Sequence, residues 1–257
     1  MLDDYKPIIF NCPTEFEEIE LFFAHDIHKG SAQHDSKKWE SFKRTLLAEP
    51  NRYVIFVGDC FENAIVGSKS DIYTQNFNPY EQKEWCTQQF RELSERIIAV
   101  VSGNHCSRTT KTVGLYPLYD CCLASGIENR YRHHFAVVDI GTGNRGASGK
   151  QWRYAGYITH RIRDTKMYNG SDFVDGIDFC AYGHDHDPKD HSRSKLIYDS
   201  KNKTVTQKNI EVIDSGAFLT YGGYGVEGGY RPLSSKCYKL ILPADRNKKI
   251  ETVGFYV

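Results

Sequence analysis

Side chains of the types that bind metal ions occur at five places in this sequence, each at the end of a short apolar run. The five segments are His25-Asp26-Ile27-His28, Gly58-Asp59, Gly103-Asn104-His105, Thr159-His160 and Gly183-His184-Asp185-His186. Carboxylate oxygens and imidazole nitrogens suit divalent ions such as Mn, Fe and Zn. The eight cysteines form no clustered set, which argues against a structural zinc site. The pattern therefore predicts a site for divalent metal ions built from Asp, Asn and His.

Two of these segments carry ligand types at alternate positions, Asp26 with His28 and His184 with His186. On an extended backbone, alternate side chains point to the same side. Each pair is therefore expected to hold a metal ion from one direction. The same rule puts His25 on the opposite side from Asp26, which favours a supporting or surface position for it.

The apolar runs before the five segments have the length and composition of buried strands. They cover residues 19–24, 53–57, 97–101, 154–159 and 177–182. Helical spacing of apolar residues over 36–48 and 81–97 separates the first three runs, which predicts an α/β sheet. Ligands of open α/β sheets bind at the carboxyl ends of the strands, so the five segments are expected to meet there.

After residue 183 the pattern changes to short strands without helices between them. These strands are predicted at 196–198, 204–207, 211–213, 236–242 and 252–257. They suggest a second sheet made mostly of hairpins. The length of 257 residues suits one layered α/β domain, so a single domain over 1–257 is expected.

The balance of charge limits the classes of partner. Lys plus Arg and Asp plus Glu number 33 each, so no overall field attracts the protein to nucleic acid or to an anionic membrane. The sequence has no apolar stretch of about 18 residues and no basic start followed by an apolar run. We expect a cytoplasmic protein, of a cell or of an infected host, with no membrane partner and with its cysteines reduced.

The order D-x-H, GD, GNH, a lone His and GHxH resembles the pattern of the calcineurin-like metallophosphoesterase superfamily over residues 26–186. The resemblance implies a two-sheet α/β sandwich flanked by helices. It also implies two divalent ions, with Mn²⁺ as the first expectation and Fe, Zn, Ni or Mg as alternatives. By resemblance, the metal ligands are Asp26, His28, Asp59, Asn104, His160, His184 and His186, with Asp59 bridging the two ions.

The resemblance also assigns catalytic roles. His105 matches the family's GNH histidine, which protonates the leaving oxygen or stabilises developing charge, and Asp59 acts with it. The implied reaction is hydrolysis of a phosphate ester by metal-bound hydroxide. Cys106 stands where the family usually has an acid, and the chain lacks the GDxxDRG continuation of phosphoprotein phosphatases, so that branch is not expected. The run GNHCSR is similar to a group of phage and bacterial members with GNHxxR.

Aromatic residues in two polar segments indicate the substrate class. One segment is the Tyr-Gly loop 221–231, and the other is the long loop 67–80 with Tyr73, Phe77 and Tyr80. Aromatic rings stack on nucleobases for about 1 to 3 kcal/mol each. A competing interpretation is that these rings cover the core or an oligomer interface. The predicted substrate contacts are Arg108, Arg161, Tyr224 and Arg231.

These observations predict a phosphodiesterase that hydrolyses nucleotide phosphodiesters, namely cyclic nucleotides, oligonucleotides or single-stranded nucleic acid. The absence of a basic stripe makes a nuclease for long duplexes less favoured. One alternative is a phosphomonoesterase or nucleotide pyrophosphatase. An alternative of another class is a binding protein that keeps the fold without the chemistry.

Overall fold

The computed structural model describes residues 3–68, 70–146, 149–161, 173–232, 234–245 and 249–257. The strands are β1 (Ile8–Asn11), β2 (Glu18–Ala24), β3 (Arg52–Val57), β4 (Ile97–Val101), β5 (Tyr131–Arg132), β6 (Phe135–Thr142), β7 (Trp152–Thr159), β8 (Phe179–Tyr182), β9 (Lys189–Asp199), β10 (Thr204–Asp214), β11 (Lys236–Pro243) and β12 (Glu251–Tyr256). The helices are α1 (Ser36–Leu47), α2 (Pro79–Glu92), α3 (Cys106–Val113), α4 (Pro117–Ala124) and the one-turn α5 (Tyr224–Glu227).

The strands form two six-stranded sheets that enclose one core. The first sheet has the order β12-β11-β2-β3-β4-β5, and the second has the order β1-β6-β7-β8-β10-β9. Leu21, Ile55 and Val101 of the first sheet share a buried apolar cluster with Val138 and Phe179 of the second. This arrangement confirms the predicted two-sheet α/β sandwich.

Three helices cover the outer face of the first sheet. Phe22 of β2 packs edge-on against Phe42 of α1, with ring centroids 5.7 Å apart. Phe56 of β3 meets Phe90 of α2 at 4.9 Å, and Leu118 of α4 joins the same buried cluster. Strands β2 and β3 are thus buried on both faces, which explains why their sequences are continuous apolar runs rather than alternating ones.

The two long helices begin where the sequence supplies caps. The Asp35 side chain accepts a hydrogen bond from Lys38 N at 2.9 Å, which starts α1. Asn78 and Glu81 form a reciprocal capping box at the start of α2, with Pro79 in its first turn. Helix α2 ends at Glu92, five residues before β4 begins, and is therefore shorter than the predicted 81–97.

No helix among the residues described is long and apolar enough to cross a membrane.

The prediction of a separate second sheet after residue 183 is wrong. Strands β9 and β10 extend the sheet that contains β8, while β11 and β12 extend the first sheet beside β2. The predicted strands 204–207 and 211–213 are parts of the single strand β10. Hairpins can extend the edge of either sheet, and local alternation carries no information on which edge they join.

The strand directions create the site. Strands β2, β3 and β4 are parallel neighbours, and β7 and β8 are parallel neighbours in the other sheet. The carboxyl ends of these five strands are followed in turn by Asp26, Asp59, Asn104, His160 and His184. Five loops, three from one sheet and two from the other, therefore deliver the predicted ligands.

Candidate metal centre

The structure brings all seven predicted ligands into one place. His186 Nε2 lies 3.1 Å from Asp26 Oδ1, and His28 Nε2 lies 3.3 Å from the same oxygen. On the other side, His160 Nε2 lies 3.0 Å from Asp59 Oδ2. Asn104 and His184 complete the set, since Asn104 Oδ1 is 3.0 Å from His160 Nε2 and His184 shares a group of ligand atoms with His160 and Asp59.

Three groups of ligand atoms, each within 4.8 Å of one another, occur in the part of the chain that the structure describes. They are Asp26, His28 and His186; His28, Asp59 and His105; and Asp59, His160 and His184. The first and third groups match the expected division between two ions. The second group joins them and includes His105, which the sequence pattern does not count among the ligands.

The backbone at the ligands is left-handed, which the sequence did not indicate. Asp26, His28, Asp59, His184 and His186 have φ angles of 50°, 47°, 47°, 78° and 59°. The expectation that Asp26 with His28, and His184 with His186, lie on extended backbone is therefore wrong. Both pairs still face the site. Such conformations cost about 1 to 3 kcal/mol each in non-glycine residues and cluster at functional sites.

Two glycines make room for the ligands. A Cβ atom on Gly58 would lie 2.5 Å from His160 Nδ1, and one on Gly103 would lie 2.0 Å from Asp59 Oδ1. Neither approach is possible for a larger residue. The glycines in the GD and GNH motifs therefore allow the Asp59 carboxylate and the His160 ring to reach their positions.

The imidazoles are oriented as metal ligands. His28 Nδ1 donates to Glu62 Oε2 at 3.0 Å, and His160 Nδ1 donates to the Val57 carbonyl at 2.7 Å. With the proton on Nδ1, the Nε2 lone pair of each ring faces the centre. Glu62 was missed by the sequence reasoning, and its only signal was a carboxylate three positions after Asp59.

Two buried polar atoms at the centre lack a well-formed hydrogen bond, although each lies close to another ligand-type atom. They are His28 Nε2 and Asp59 Oδ2, and the side chains that carry them are almost fully buried. An unsatisfied buried polar atom costs about 1 to 3 kcal/mol. Both atoms are of the kind that bind divalent cations, so the donor set fits a metal ion.

The electrostatics of the centre favour positive charge. Burial alone lowers the pKa of His28, but the adjacent Asp26 and Glu62 carboxylates outweigh it and raise this pKa to about 10. Burial alone raises the pKa of the Asp59 carboxyl, yet His160 and His105 hold this pKa well below its ordinary value. The carboxylates thus remain ionised and attract either protons or metal ions, which compete for the same atoms.

His105 is held as a neutral imidazole. Its Nδ1 donates to the Glu62 carbonyl at 2.6 Å, and its Nε2 accepts from Arg108 Nη2 at 3.0 Å. Burial lowers the pKa of His105 to about 4, and the nearby His28 and Arg108 add to this effect against the opposing Asp59 and Glu62. Within this pair the positive charge is therefore carried by Arg108, with His105 as its acceptor.

Two further predicted substrate contacts lie beside ligand segments, Arg161 next to His160 in sequence and Arg231 through an ion pair. Arg231 forms an ion pair with Asp187, the residue after His186, and its side chain is 77% exposed. Arg161 follows His160 directly and is also exposed. Tyr224 begins α5, within the loop that carries Arg231.

The two aromatic loops flank the segment that carries Asp26 and His28. Phe218 N donates to the Asp26 carbonyl at 3.1 Å, just before the Tyr-Gly loop 221–231. Asn76 N, in the long loop, donates to the Gly30 carbonyl at 2.8 Å. Both loops are thus bonded to the segment 26–30. Their exposed aromatic residues are Tyr73, Phe77, Tyr80, Tyr221 and Tyr230.

Comparison with known proteins returns similar solved structures only. No family model and no curated protein matches the sequence. The phosphoesterase Yfce from E. coli is 16% identical, with a TM-score of 0.45, over 91% of this chain and 98% of that one. The calcineurin-like phosphoesterase YfkN from Bacillus subtilis is 11% identical, with a TM-score of 0.42, over 93% and 90% of the two chains.

A third solved structure, the nuclease MPE from Pseudomonas putida, is 14% identical, with a TM-score of 0.34, over 91% of this chain and 87% of that one. The superfamily that the motifs resemble thus also occurs among the structural matches. At these identities and TM-scores the matches assign no function to this chain. Its function is inferred from the geometry of the centre.

Proposed function

We propose that this chain is a dinuclear metal-dependent phosphoesterase of the calcineurin-like type that hydrolyses nucleotide phosphodiesters. The observation that carries the proposal is the convergence of seven ligand-type side chains from five loops. Rings whose Nδ1 atoms are occupied by Glu62 and Val57 turn their Nε2 atoms inward, which an ordinary buried polar cluster does not require.

The ligands divide between two ions. Asp26, His28 and His186 would hold one ion, and Asn104, His160 and His184 would hold the other, with Asp59 between them. When bound, such a pair of ions neutralises charge on the phosphate oxygens and supplies an activated water. Mn²⁺ is the first candidate, with Fe, Zn, Ni or Mg as alternatives, because mixed carboxylate, amide and imidazole ligands suit several divalent ions.

The remaining polar groups position the substrate phosphate. Arg108 is fixed by four acceptors, which are the Glu62 carbonyl at 2.8 Å, the Glu62 carboxylate at 3.5 Å, the Asn63 carbonyl at 3.5 Å and His105 Nε2 at 3.0 Å. A guanidinium held in this way is a good partner for a phosphate oxygen. His105 is kept beside the centre by its own backbone N, which donates to Asp59 Oδ1 at 2.9 Å.

Nucleotides are favoured as substrates because exposed aromatic rings occur on both sides of the segment that carries Asp26 and His28. Tyr221 and Tyr230 are roughly half exposed, and the Tyr221 hydroxyl donates to the Tyr230 carbonyl at 2.7 Å, which closes the Tyr-Gly loop. Tyr73 lies in the opposite loop and is 89% exposed. Rings presented in this way can stack on a nucleobase.

The test is a substrate screen with the Mn²⁺-loaded protein and an Asp59→Asn control. The substrates are a cyclic nucleotide, a dinucleotide, a short single-stranded oligonucleotide, a nucleoside monophosphate, a dinucleoside pyrophosphate and an aryl phosphodiester. The proposal is supported if the wild type hydrolyses the diesters and Asp59→Asn does not. Cleavage of the monophosphate or pyrophosphate alone supports the alternative esterase or pyrophosphatase, and two bound ions without any turnover support a binding protein.

A further inference from the structure

His25 lies directly behind the metal centre and is completely buried. Its Nδ1 lies 2.6 Å from Asp26 Oδ2, the shortest of the side-chain contacts that it makes. The ring is not aimed at the cluster of ligand nitrogens, and it belongs to none of the three groups of ligand atoms. Its direct hydrogen bond to a predicted ligand side chain is therefore the one to Asp26.

The contact determines which oxygen of Asp26 is available. Oδ2 accepts two hydrogen bonds, one from His25 Nδ1 and one from the backbone N of His184 at 2.8 Å. Oδ1 faces the other way and lies 3.1 Å from His186 Nε2 and 3.3 Å from His28 Nε2. The two donors hold the carboxylate so that only Oδ1 is presented to the ligand nitrogens.

His25 is itself anchored from behind. The backbone N of Ser215 donates to its Nε2 at 2.9 Å, and Asp214 Oδ1 lies 3.2 Å from the same nitrogen. Ser215 is fixed in turn, because its hydroxyl donates to the Tyr238 carbonyl at 3.2 Å and accepts from Tyr238 N at 3.0 Å. The ring thus connects the loop after β2 to the end of β10 and to β11.

No space remains for the ring to turn away. A Cβ atom on Gly183 would lie 2.8 Å from His25 Nδ1 and 2.9 Å from Asp26 Oδ2, so the backbone before His184 packs directly on this contact. One imidazole therefore meets the ends of β2, β8 and β10 at a single point. A misplaced ring would disturb Asp26 and the His184 backbone together.

We propose that His25 is a positioning residue that orients the Asp26 carboxylate for metal binding through its Nδ1–H. The inference rests on the proposed metal centre. Groups that hold a metal ligand from behind typically contribute about 10- to 100-fold to metal affinity. The competing role is a purely structural one, in which the ring only fills space between the two sheets.

Three substitutions separate the two roles. In His25→Asn the amide nitrogen takes nearly the place of Nδ1, so the donor to Asp26 is kept. His25→Leu has the same branching as Asn and no donor. His25→Gln places its amide one methylene further out, near the former position of Nε2, where it reaches Ser215 rather than Asp26.

Mn²⁺ binding to the metal-free proteins is measured by isothermal titration calorimetry, together with the thermal midpoint of each metal-free variant. We expect the Mn²⁺ affinity of H25N to lie within about 3-fold of the wild type and that of H25L to be about 10- to 100-fold weaker. This order is expected whichever of the two variants has the lower thermal midpoint. Where H25L does not fold, H25Q replaces it, with the same expected order.

Two results overturn the inference. One is wild-type affinity in the variant without the donor, and the other is equal weakening in H25N and in H25L or H25Q. A wild type that binds no Mn²⁺ overturns the metal centre itself, and that result is distinct because it appears before any variant is compared.

Discussion

Glu62 offers a strong test of how the centre is built, because it supports the centre without belonging to the predicted ligands. Its Oε2 accepts from His28 Nδ1 at 3.0 Å, with the His28 side chain 5% and the Glu62 side chain 13% exposed. A hydrogen bond to a charged group of this kind contributes about 1.5 to 3 kcal/mol. Each 1.4 kcal/mol is about a factor of ten, so losing the bond in Glu62→Leu should weaken Mn²⁺ binding by roughly 10- to 100-fold.

The conservative variant Glu62→Gln should lose less. Its amide oxygen can still accept from His28 Nδ1, but as a neutral acceptor, so a loss of roughly 3- to 10-fold is expected. The matched control is Glu92→Gln at the end of α2, which alters a partly exposed carboxylate that forms an ion pair with Lys43 of α1. It should leave Mn²⁺ binding unchanged.

The assay is calorimetric titration of Mn²⁺ into chelator-treated protein, with metal content measured after gel filtration. We expect one of the two ions to be lost first from Glu62→Leu, because His28 belongs to only one of the two ion sites. Binding of two ions by Glu62→Leu with wild-type affinity would refute the view that Glu62 orients His28. A matching loss in the Glu92 control would instead indicate a general loss of stability.

Substitutions at three further positions test the proposed site, and one pH series tests an ion pair of β2 outside it. Asp59→Asn should nearly abolish turnover and lower metal occupancy, since two cations would then repel each other without a charge between them, as read by activity and metal content. Arg108→Ala should raise KM or lower kcat by about tenfold or more with metal content unchanged, and Arg108→Lys should restore only part, because a lysine cannot form two parallel bonds to phosphate. Tyr230→Ala should raise KM for a dinucleotide but not for an aryl diester without a base. Burial raises the pKa of Glu20, but Lys239 and Arg52 outweigh it and lower this pKa, so its stabilisation is present above the ordinary value of 4.5 and is lost as pH falls below it. Denaturant unfolding of Glu20→Gln should therefore differ from the wild type at pH 7 and converge with it in acid.

The sequence was sufficient to predict which ligand-type side chains converge, because their chemistry is local. Each ligand type follows an apolar run, and parallel strands bring such positions to one edge whatever the loops do. Local sequence could not predict the left-handed backbone at Asp26 and His184. Left-handed φ angles at these residues depend on how the loops meet, and no local residue type announces them.

The supporting residues could not be predicted, because they are defined by contacts between distant segments. His25 bonds to the backbone of Ser215, 190 positions away, and Glu62 bonds to His28, 34 positions away. The strand-alternation rule placed His25 away from Asp26, but the turn after β2 brings the two side chains together. The sheets that β9 to β12 join could not be predicted either, because pairing at a sheet edge depends on tertiary contacts.

The left-handed backbone at the predicted ligands destabilises the fold, while it places the side chains that the proposed metal centre needs. At Asp26, His28, Asp59, His184 and His186, glycine would adopt the observed φ angle with little strain, whereas the ligand side chain holds the chain in a conformation that its own Cβ disfavours. A glycine at one of these positions would therefore relieve backbone strain and remove a ligand of the proposed metal centre. Selection of variants for heat resistance alone would favour such substitutions, so each round would also need a selection for metal binding.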